Sequence, residues 1–279
     1  MVTRLPEPNI DEFAYLDSVV QERQNGKHAE FFEGIRSEWK SRASHYRQSS
    51  GNPELITPWT DVAGRRTTFN NLYLSPSDGS TQGGVIATLR ARTLQLCPAC
   101  GEDGTPNTLD HYLPKERFPE FSILPQNLLP MCDACQGAKG NKTVDGLNQR
   151  MFIHGYYDAF VDQQIVDLTI NEPYDAPASI QLEPTANIAD AEAALVRRHL
   201  AELEIINRYH HFFRAGHLRL LRMVNSLRRT EQNVQQSLQS FRELARLRSV
   251  NSWGHVFYTG VLANPDLLTH LTQAQLPEV

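Results

Sequence analysis

The sequence lacks any run of about 18 consecutive apolar residues, the length that marks a candidate transmembrane helix. Its first residues, MVTRLPEPNIDEF, carry acids and prolines where a secretory signal has an apolar core. A membrane-spanning helix and a signal peptide are therefore not expected. The predicted compartment is the cytoplasm, with no membrane among the partners.

Motifs of several enzyme classes are also missing. The chain contains no Walker-type lysine motif, no Rossmann glycine fingerprint, no Gly-x-Ser-x-Gly elbow and no His-Glu-x-x-His pair. It also shows no internal repeat of the kind that builds a solenoid or propeller. Function must therefore be sought in another pattern.

Cysteine is scarce, and all of it occurs in two C-x-x-C pairs, CPAC and CDAC, formed by Cys97, Cys100, Cys132 and Cys135. A cytosolic chain that uses its cysteines this way is expected to bind metal rather than to form disulfides. Four thiolates suit a tetrahedral zinc ion and leave no open coordination position, so the predicted zinc is structural. Two redox dithiols, or four unrelated core cysteines, are the alternatives.

Positive charge is absent from one long segment and concentrated in the next. Residues 155–196 contain eight acids and neither lysine nor arginine, whereas residues 197–248 contain eleven arginines and four acids. The net charge of −5 for the whole chain is therefore a poor guide to its partners.

The length of 279 residues, with 40% hydrophobic and 21% charged residues, is typical of a globular protein of about two structural units. We predict an α+β fold that is predominantly helical. Three regions are expected: an N-terminal helical region over 1–90, a metal-patterned core over 91–153, and an acidic segment followed by arginine-rich helices over 154–279.

Apolar periodicity predicts the helices. A first helix is expected to begin at Asn9 as its cap, and a second helix is expected over 28–47. Residues 49–84 contain many turn-forming residues and are interpreted as loop, and residues 154–186 are predicted to hold one strand, IVDLTI. From Ile188 onward the pattern predicts helices, interrupted at Gly216 and Thr230, with Thr230 as a cap. A last helix is predicted to start at Asn264-Pro265.

The segment between the cysteine pairs carries further polar residues in a specific order. Leu109-Asp110-His111 is followed by Pro114, then by Asn127-Leu128 and Pro130, and the second cysteine pair continues as Gln-x-x-Lys-Gly. Adjacent residues on a strand point to opposite faces, so one of Asp110 and His111 can bind a metal while the other faces a substrate. Over about 45 residues this order resembles the zinc-stapled branch of the HNH endonucleases, also called ββα-metal or His-Me finger nucleases.

The resemblance implies a role for each matching residue. His111 resembles the general base that deprotonates a water, Asp110 the acidic ligand of a catalytic Mg²⁺ or Mn²⁺ ion, and Asn127 the asparagine that holds the loop between the strands. Gln136 stands where the family usually has Asn or His as the second metal ligand, with Asn141 as a fallback. Lys139 resembles the family's lysine and is expected to touch a phosphate.

The C-terminal arginines form a second candidate surface. Arg219 with Arg222, and Arg242 with Arg246, are spaced to share a helix face, and arginine binds phosphates bidentately. They are predicted to bind a nucleic-acid backbone. The alternatives are a solvated face, a surface that meets the acidic 155–196 stretch, or a protein partner. His154 lies among tyrosines, and its role is left open, since packing and a direct part in catalysis are both compatible with this setting.

The sequence thus predicts a metal-dependent HNH endonuclease acting on DNA. The resemblance further implies that this nuclease is an effector of bacterial anti-phage defence or restriction, with an ATPase or sensor protein as a partner. Two alternatives remain: a zinc-stabilised module that binds nucleic acid or protein without cleavage, and an HNH nuclease that acts on RNA.

Overall fold

A computed structural model describes residues 1–177 and 179–277. Helices dominate the described residues, and the strands form two small antiparallel sheets, so the predicted predominantly helical α+β class is confirmed. The chain divides into two compact units. The first unit comprises Leu5–Leu94 and Pro106–Asp158, and the second comprises Met1–Arg4, Gln95–Thr105 and the chain from Ala159 onward. The three-region division predicted from the sequence stays a prediction.

The first unit contains five helices and one two-stranded sheet. In chain order these are α1 (Glu12–Gln21), α2 (Ala29–Gln48), α3 (Arg66–Leu74), α4 (Thr81–Arg90), β1 (Thr108–His111), β2 (Leu128–Met131) and α5 (Asp133–Lys139). Short 3-10 turns occupy Thr60–Arg65, Pro119–Phe121 and Pro125–Asn127.

Helix α2 provides the aromatic core of this unit. Its Phe32 and Trp39 are almost fully buried and pack on Phe69 of α3, with ring centroids 6.0 and 5.1 Å from the Phe69 ring. Burial of rings of this size is a leading source of packing energy. The predicted extent of α2 is confirmed to within a residue at each end.

The start of α1 differs from the prediction. Asp11, not Asn9, caps the helix, because its carboxylate accepts the backbone N–H of Ala14 at 2.7 Å. Both residue types are good caps, and an aspartate in the cap position also interacts favourably with the positive end of the helix dipole.

Strands β1 and β2 pair antiparallel, with Asp110 opposite Leu129 and His111 opposite Leu128. Helix α5 follows β2 after a single residue and contacts β1. The first unit therefore holds a strand–strand–helix arrangement, whose first strand carries the Asp-His pair and whose helix carries Gln136 and Lys139.

The described residues of the second unit form another two-stranded sheet and five α-helices. They are β3 (Val166–Ile170), β4 (Ile180–Pro184), α6 (Asp190–Glu202), α7 (Ile205–Arg229), α8 (Val234–Arg246), α9 (Trp253–Leu262) and α10 (Pro265–Gln273). Buried and exposed residues alternate along β3, as expected for a strand with one face on a core. Gly260 of α9 lies so close to Leu168 that a Cβ would come within 2.7 Å of its carbonyl oxygen.

Several boundaries in the second unit depart from the sequence prediction. Gly216 lies inside α7 rather than between helices, and it is buried against the ring of Phe257, which a Cβ would meet at an ordinary contact distance of 3.6 Å. Asn233, not Thr230, caps α8 through its side-chain oxygen. The predicted cap at Asn264 is confirmed, with its side chain accepting from the N–H of Leu267. Within 1–177 and 179–277, no helix is both long and apolar enough to cross a membrane.

Candidate functional site

The four cysteines converge on one cluster. The sulfur atoms of Cys97, Cys100, Cys132 and Cys135 all lie within 4.8 Å of one another, and three of the four residues are buried. Four sulfurs at these separations can hold one metal ion. The predicted convergence of the cysteines is therefore confirmed.

The first cysteine pair is held by backbone hydrogen bonds. The N–H of Gly101 donates to Cys97 O at 2.8 Å, and Gly101 has a φ of 72°, which favours glycine. The indole of Trp253 donates to Cys100 O at 2.6 Å, and His199 Nε2 lies 2.7 Å from Ala99 O. Such contacts fix the orientation of the turn that presents the two sulfurs.

The second cysteine pair opens helix α5. Cys132 is the N-cap residue, in extended conformation, and Cys135 follows within the first turn. Its sulfur and Gln136 are thereby fixed to one short, rigid element. The N–H of Gln136 donates to Cys132 O at 3.0 Å, which closes that turn.

His111 is oriented by two contacts. Its Nε2 lies 2.8 Å from the carbonyl oxygen of Ser122, and the ring of Tyr73 packs edge-on against the imidazole with centroids 4.5 Å apart. A carbonyl oxygen only accepts hydrogen bonds, so Nε2 carries the proton and the lone pair of the neutral ring lies on Nδ1. Burial lowers the pKa of His111 to about 3, which keeps the ring neutral at neutral pH.

Asp110 faces helix α5. Its Oδ2 lies 2.9 Å from the ammonium nitrogen of Lys139, and its carboxylate also accepts a hydrogen bond from the Gln136 side chain. Burial raises the pKa of Asp110, and the charge of Lys139 opposes that rise. The Lys139 ammonium donates a further bond to His111 O at 2.7 Å.

Asn127 uses all of its hydrogen-bonding capacity. Its Oδ1 accepts from the N–H of Leu113 at 2.7 Å and from the hydroxyl of Tyr46 at 3.0 Å. Its Nδ2 donates to Leu113 O at 3.0 Å and to Phe121 O at 3.1 Å. A primary amide has two donors and two acceptor positions, so this fully buried side chain ties both ends of the loop that follows His111.

The structure thus brings together five residues that the sequence singled out: Asp110, His111, Asn127, Gln136 and Lys139. The Lys139 side chain is only 1% exposed, so a contact with a phosphate, as predicted, would require its ammonium to leave Asp110. Asn141, the fallback ligand, is exposed just beyond the end of α5.

The predicted nucleic-acid-binding arginines lie in the second unit. Arg219 and Arg222 are exposed on α7, and Arg246 is exposed on α8. Arg242 is half-buried, and its guanidinium donates to Glu243 at 2.7 Å. Arg246 also lies 3.4 Å from Glu243, so this carboxylate partly neutralises the pair on α8.

Three contacts of the site escaped the sequence analysis. Tyr73 lies in α3, within residues interpreted as loop, and Ser122 contributes only its backbone carbonyl. Tyr46 lies in α2, for which the sequence predicted only a helix, and its hydroxyl reaches Asn127. A hydrogen bond between residues 81 positions apart leaves no local signal in a single sequence.

Comparison with known proteins finds a distant relative. The chain is 36% identical over 119 residues to Protein ea31 of Escherichia phage lambda. The match covers 41% of this chain and 40% of the phage protein, well under two thirds of that protein's length. No protein-family model matches the chain, and no solved structure matches it.

Proposed function

We propose that this chain is a metal-dependent endonuclease of the HNH type that hydrolyses phosphodiester bonds in DNA and leaves 5′-phosphate and 3′-hydroxyl ends. One observation carries the proposal. On a strand–strand–helix arrangement flanked by the four-cysteine cluster, adjacent residues place an oriented neutral imidazole beside a carboxylate paired with a side-chain amide.

His111 is the proposed general base, and Nδ1 is its proton-accepting atom. Because Nε2 of His111 donates to Ser122 O, Nδ1 is the atom that accepts the proton of an attacking water. Tyr73 packs against the ring and limits its rotation. An anionic phosphate near the imidazole raises its pKa from the low value of the free protein, which strengthens the base when substrate is bound.

The donor set of Asp110 and Gln136 fits a hard divalent cation. A carboxylate and an amide oxygen are the ligand types that Mg²⁺ and Mn²⁺ prefer, and the two side chains already touch each other. In the present contact the Gln136 amide donates to the carboxylate, so ligation requires the amide to turn its oxygen inward. When bound, such a cation supplies neutralisation of charge on the phosphate and on the leaving oxygen.

The four-cysteine cluster fits a structural zinc ion. Four sulfurs within 4.8 Å of one another match the donor number of a closed tetrahedral site. We assign zinc to this cluster and a different, oxygen-bound cation to Asp110.

Positive charge next to His111 supports a phosphate-containing substrate. The exposed guanidinium of Arg90 lies 5.4 Å from the centroid of the Tyr73 ring, and that ring contacts His111. Lys115 is close enough for its charge to lower the pKa of His111. These two cations suit the backbone of a nucleic acid, which is bound through its phosphates without regard to sequence.

Plasmid cleavage tests the proposal. The full chain is incubated with supercoiled DNA and with matched RNA, in Mg²⁺, in Mn²⁺ and without added divalent ion. We expect nicked or linear DNA only with the divalent ion. His111→Ala should lower the rate at least about 100-fold, the lower range for loss of a general base.

The control is that His111→Ala keeps its zinc content and circular dichroism spectrum, since this ring binds none of the cysteines. A folded His111→Ala protein that cuts at the wild-type rate would exclude the mechanism. Preferential cleavage of the RNA would assign the second substrate class instead.

A second candidate function is a metal-stabilised module that binds nucleic acid or protein without cutting. It is favoured by the near closure of the site, where Asp110 and His111 are only 7% and 6% exposed and a lysine ammonium already occupies the carboxylate. Binding of DNA with no cleavage in either cation would select this candidate.

The biological setting that we propose is an effector of anti-phage defence or restriction with an ATPase or sensor partner. It is supported by a resemblance of architecture to the effector subunits of such systems. This setting predicts that a neighbouring gene encodes the ATPase or sensor partner, and it makes no prediction about the residues of the site.

A further inference from the structure

Two buried side chains outside the Asp-His segment form a hydrogen-bond chain that reaches Asn127. His154 is fully buried, and its Nε2 lies 3.1 Å from the hydroxyl of Tyr46. That hydroxyl lies 3.0 Å from Asn127 Oδ1. The backbone N–H of Tyr156 donates to His154 Nδ1 at 3.2 Å.

The direction of this chain is fixed by its two ends. Because Nδ1 of His154 accepts from a backbone N–H, the proton of the neutral ring lies on Nε2, and Nε2–H donates to the Tyr46 oxygen. The Tyr46 hydroxyl then has its own proton free to donate to Asn127 Oδ1. Each group therefore sets the donor or acceptor state of the next.

The same chain continues from Asn127 toward His111. Asn127 Nδ2 donates to Phe121 O, and the next residue, Ser122, supplies the carbonyl that accepts from His111 Nε2. The peptide that orients the imidazole is thus bonded directly to the peptide that Asn127 holds. A rotation of the Asn127 amide would therefore shift the Ser122 carbonyl, which orients the imidazole of His111.

The bond between Tyr46 and His154 is enclosed by close packing. Gly51, with a φ of 66°, lies against it so closely that a Cβ there would come within 2.7 Å of the Tyr46 hydroxyl and 3.0 Å of the His154 ring. The ring of Tyr112 packs at a tilt against the His154 ring, with the two centroids 4.2 Å apart. This close packing restricts the Tyr46 hydroxyl and the His154 ring to the hydrogen-bonded arrangement seen here.

We propose that Tyr46 and His154 are positioning residues of the candidate active site, which fix the Asn127 amide and through it the Nε2–H state and orientation of His111. The expected effect on kcat rests on the proposed endonuclease function. The expected effect on the protonated nitrogen and orientation of His111 does not. Neither residue touches the substrate or the attacking water; each acts through Asn127.

The test compares Tyr46→Phe, which removes only the hydroxyl, with His154→Leu, which removes the ring nitrogens, and with the double variant. His154→Gln, which places an amide N–H near the position of Nε2, is the conservative rescue. Tyr209→Phe is the matched control, because Tyr209 is equally buried and its hydroxyl donates to Trp253 O within the second unit. All are made in the full, metal-loaded chain.

Two properties are measured. Long-range ¹H–¹⁵N correlation of the histidine rings, assigned with His111→Ala, reports which nitrogen of His111 carries the proton. Steady-state cleavage gives kcat and KM separately. We expect a single Nε2–H form in the wild type and in Tyr209→Phe, and a mixed or broadened signal in Tyr46→Phe and His154→Leu.

In kinetics we expect kcat to fall about 10-fold in each single variant with KM within about 2-fold, since a small misplacement of a catalytic group costs this much or more. The double variant should fall no further, because both changes break one chain. His154→Gln should recover most of the rate. The ring signals come from folded molecules, so a lowered melting temperature cannot imitate the result.

The outcomes separate the two proposals. Unchanged His111 signals in both single variants, or additive losses in the double variant, would overturn the positioning role even if the wild type cuts DNA. If the wild type cuts no nucleic acid, the endonuclease proposal fails. The His111 signals then decide the positioning role by themselves, with a mixed form supporting it and an unchanged form excluding it.

Discussion

The ammonium of Lys139 is buried and binds two partners, Asp110 Oδ2 and the carbonyl of His111. We predict that Lys139→Met destabilises the fold by about 3 kcal/mol, because removal of one member of a buried ion pair leaves the other charge unpaired. The loss should shrink at low pH, where Asp110, whose pKa burial has raised, takes up a proton. Urea denaturation at pH 7.5 and 5.0 measures both values.

Lys115→Met is the control for this prediction. Lys115 is partly exposed and lies 3.9 Å from Glu116, a distance at which a surface pair contributes less than about 1 kcal/mol. If Lys139→Met has wild-type stability but weaker nucleic-acid binding, the lysine acts on phosphate, as the sequence analysis expected.

His154 makes the stability of the chain depend on pH. Burial, helped by the positive charge of Arg150, holds the pKa of His154 well below its usual range, so the folded state binds its proton less readily than the unfolded state. The sign follows: stability is lost as pH falls below the unfolded pKa of about 6.5. Between pH 7.5 and 5.5 this group alone should cost about 1.4 kcal/mol.

The comparison with His154→Gln measures this contribution. Unfolding free energies of both proteins are determined in urea at pH 7.5 and 5.5. Between these two pH values the variant should lose about 1.4 kcal/mol less unfolding free energy than the wild type. Contributions of the cysteine cluster are common to both proteins and cancel. Equal pH dependence in the two proteins would mean that His154 is not held neutral by burial.

Single residues show what a sequence can and cannot predict. Asp110, His111, Asn127 and Gln136 lie within one segment in a recognisable order, and the structure brings them together. Tyr46 and His154 contact each other across 108 positions, so their bond depends on tertiary packing that no local pattern encodes.

Helices α7 and α8 both carry exposed arginines. On α8, Glu243 binds both Arg242 and Arg246, and on α7 Arg219 and Arg222 are exposed. We predict that charge reversal at Arg219 and Arg222 weakens DNA binding and lowers the salt slope by about 2, one for each lost phosphate contact. Glu243→Gln should instead tighten binding, because it removes the carboxylate that competes with phosphate.

Fluorescence anisotropy with a labelled duplex, between 50 and 200 mM salt, measures both effects. The metal requirement for cleavage should stay the same in these variants. Wild-type DNA affinity in both the Arg219/Arg222 charge-reversal variant and Glu243→Gln would assign the arginines to a protein partner or to solvent.

Elements with local signals were predictable. Helix α10 has an asparagine cap and a proline in its first turn, and β3 alternates buried and exposed residues. Helix α3 was missed because its sequence neighbours are rich in turn-forming residues, and its Phe69 and Tyr73 are stabilised by packing on α2 and on His111. Its helical state follows from that tertiary burial rather than from propensity.

Removal of the metal should unfold the core around the cysteines. Binding of structural zinc by small domains contributes about 10–16 kcal/mol, comparable with or larger than the stability of most domains. We predict that a strong chelator, or Cys135→Ser, abolishes the cooperative melting transition, with one zinc per chain measured in the untreated protein. A metal-free chain that keeps its melting temperature and circular dichroism would show that the cluster holds no structural ion.

The long sequence separation of Tyr46, Asn127 and His154 also has a consequence during biosynthesis. The bond between Tyr46 and His154 cannot form until the ribosome has released both, and synthesis proceeds at about 5–20 residues per second. A nascent chain that has emerged only as far as the second cysteine pair therefore contains the Asp-His segment but not His154. On the proposed positioning role, the candidate site lacks one end of its hydrogen-bond chain until more than half of the protein has been translated.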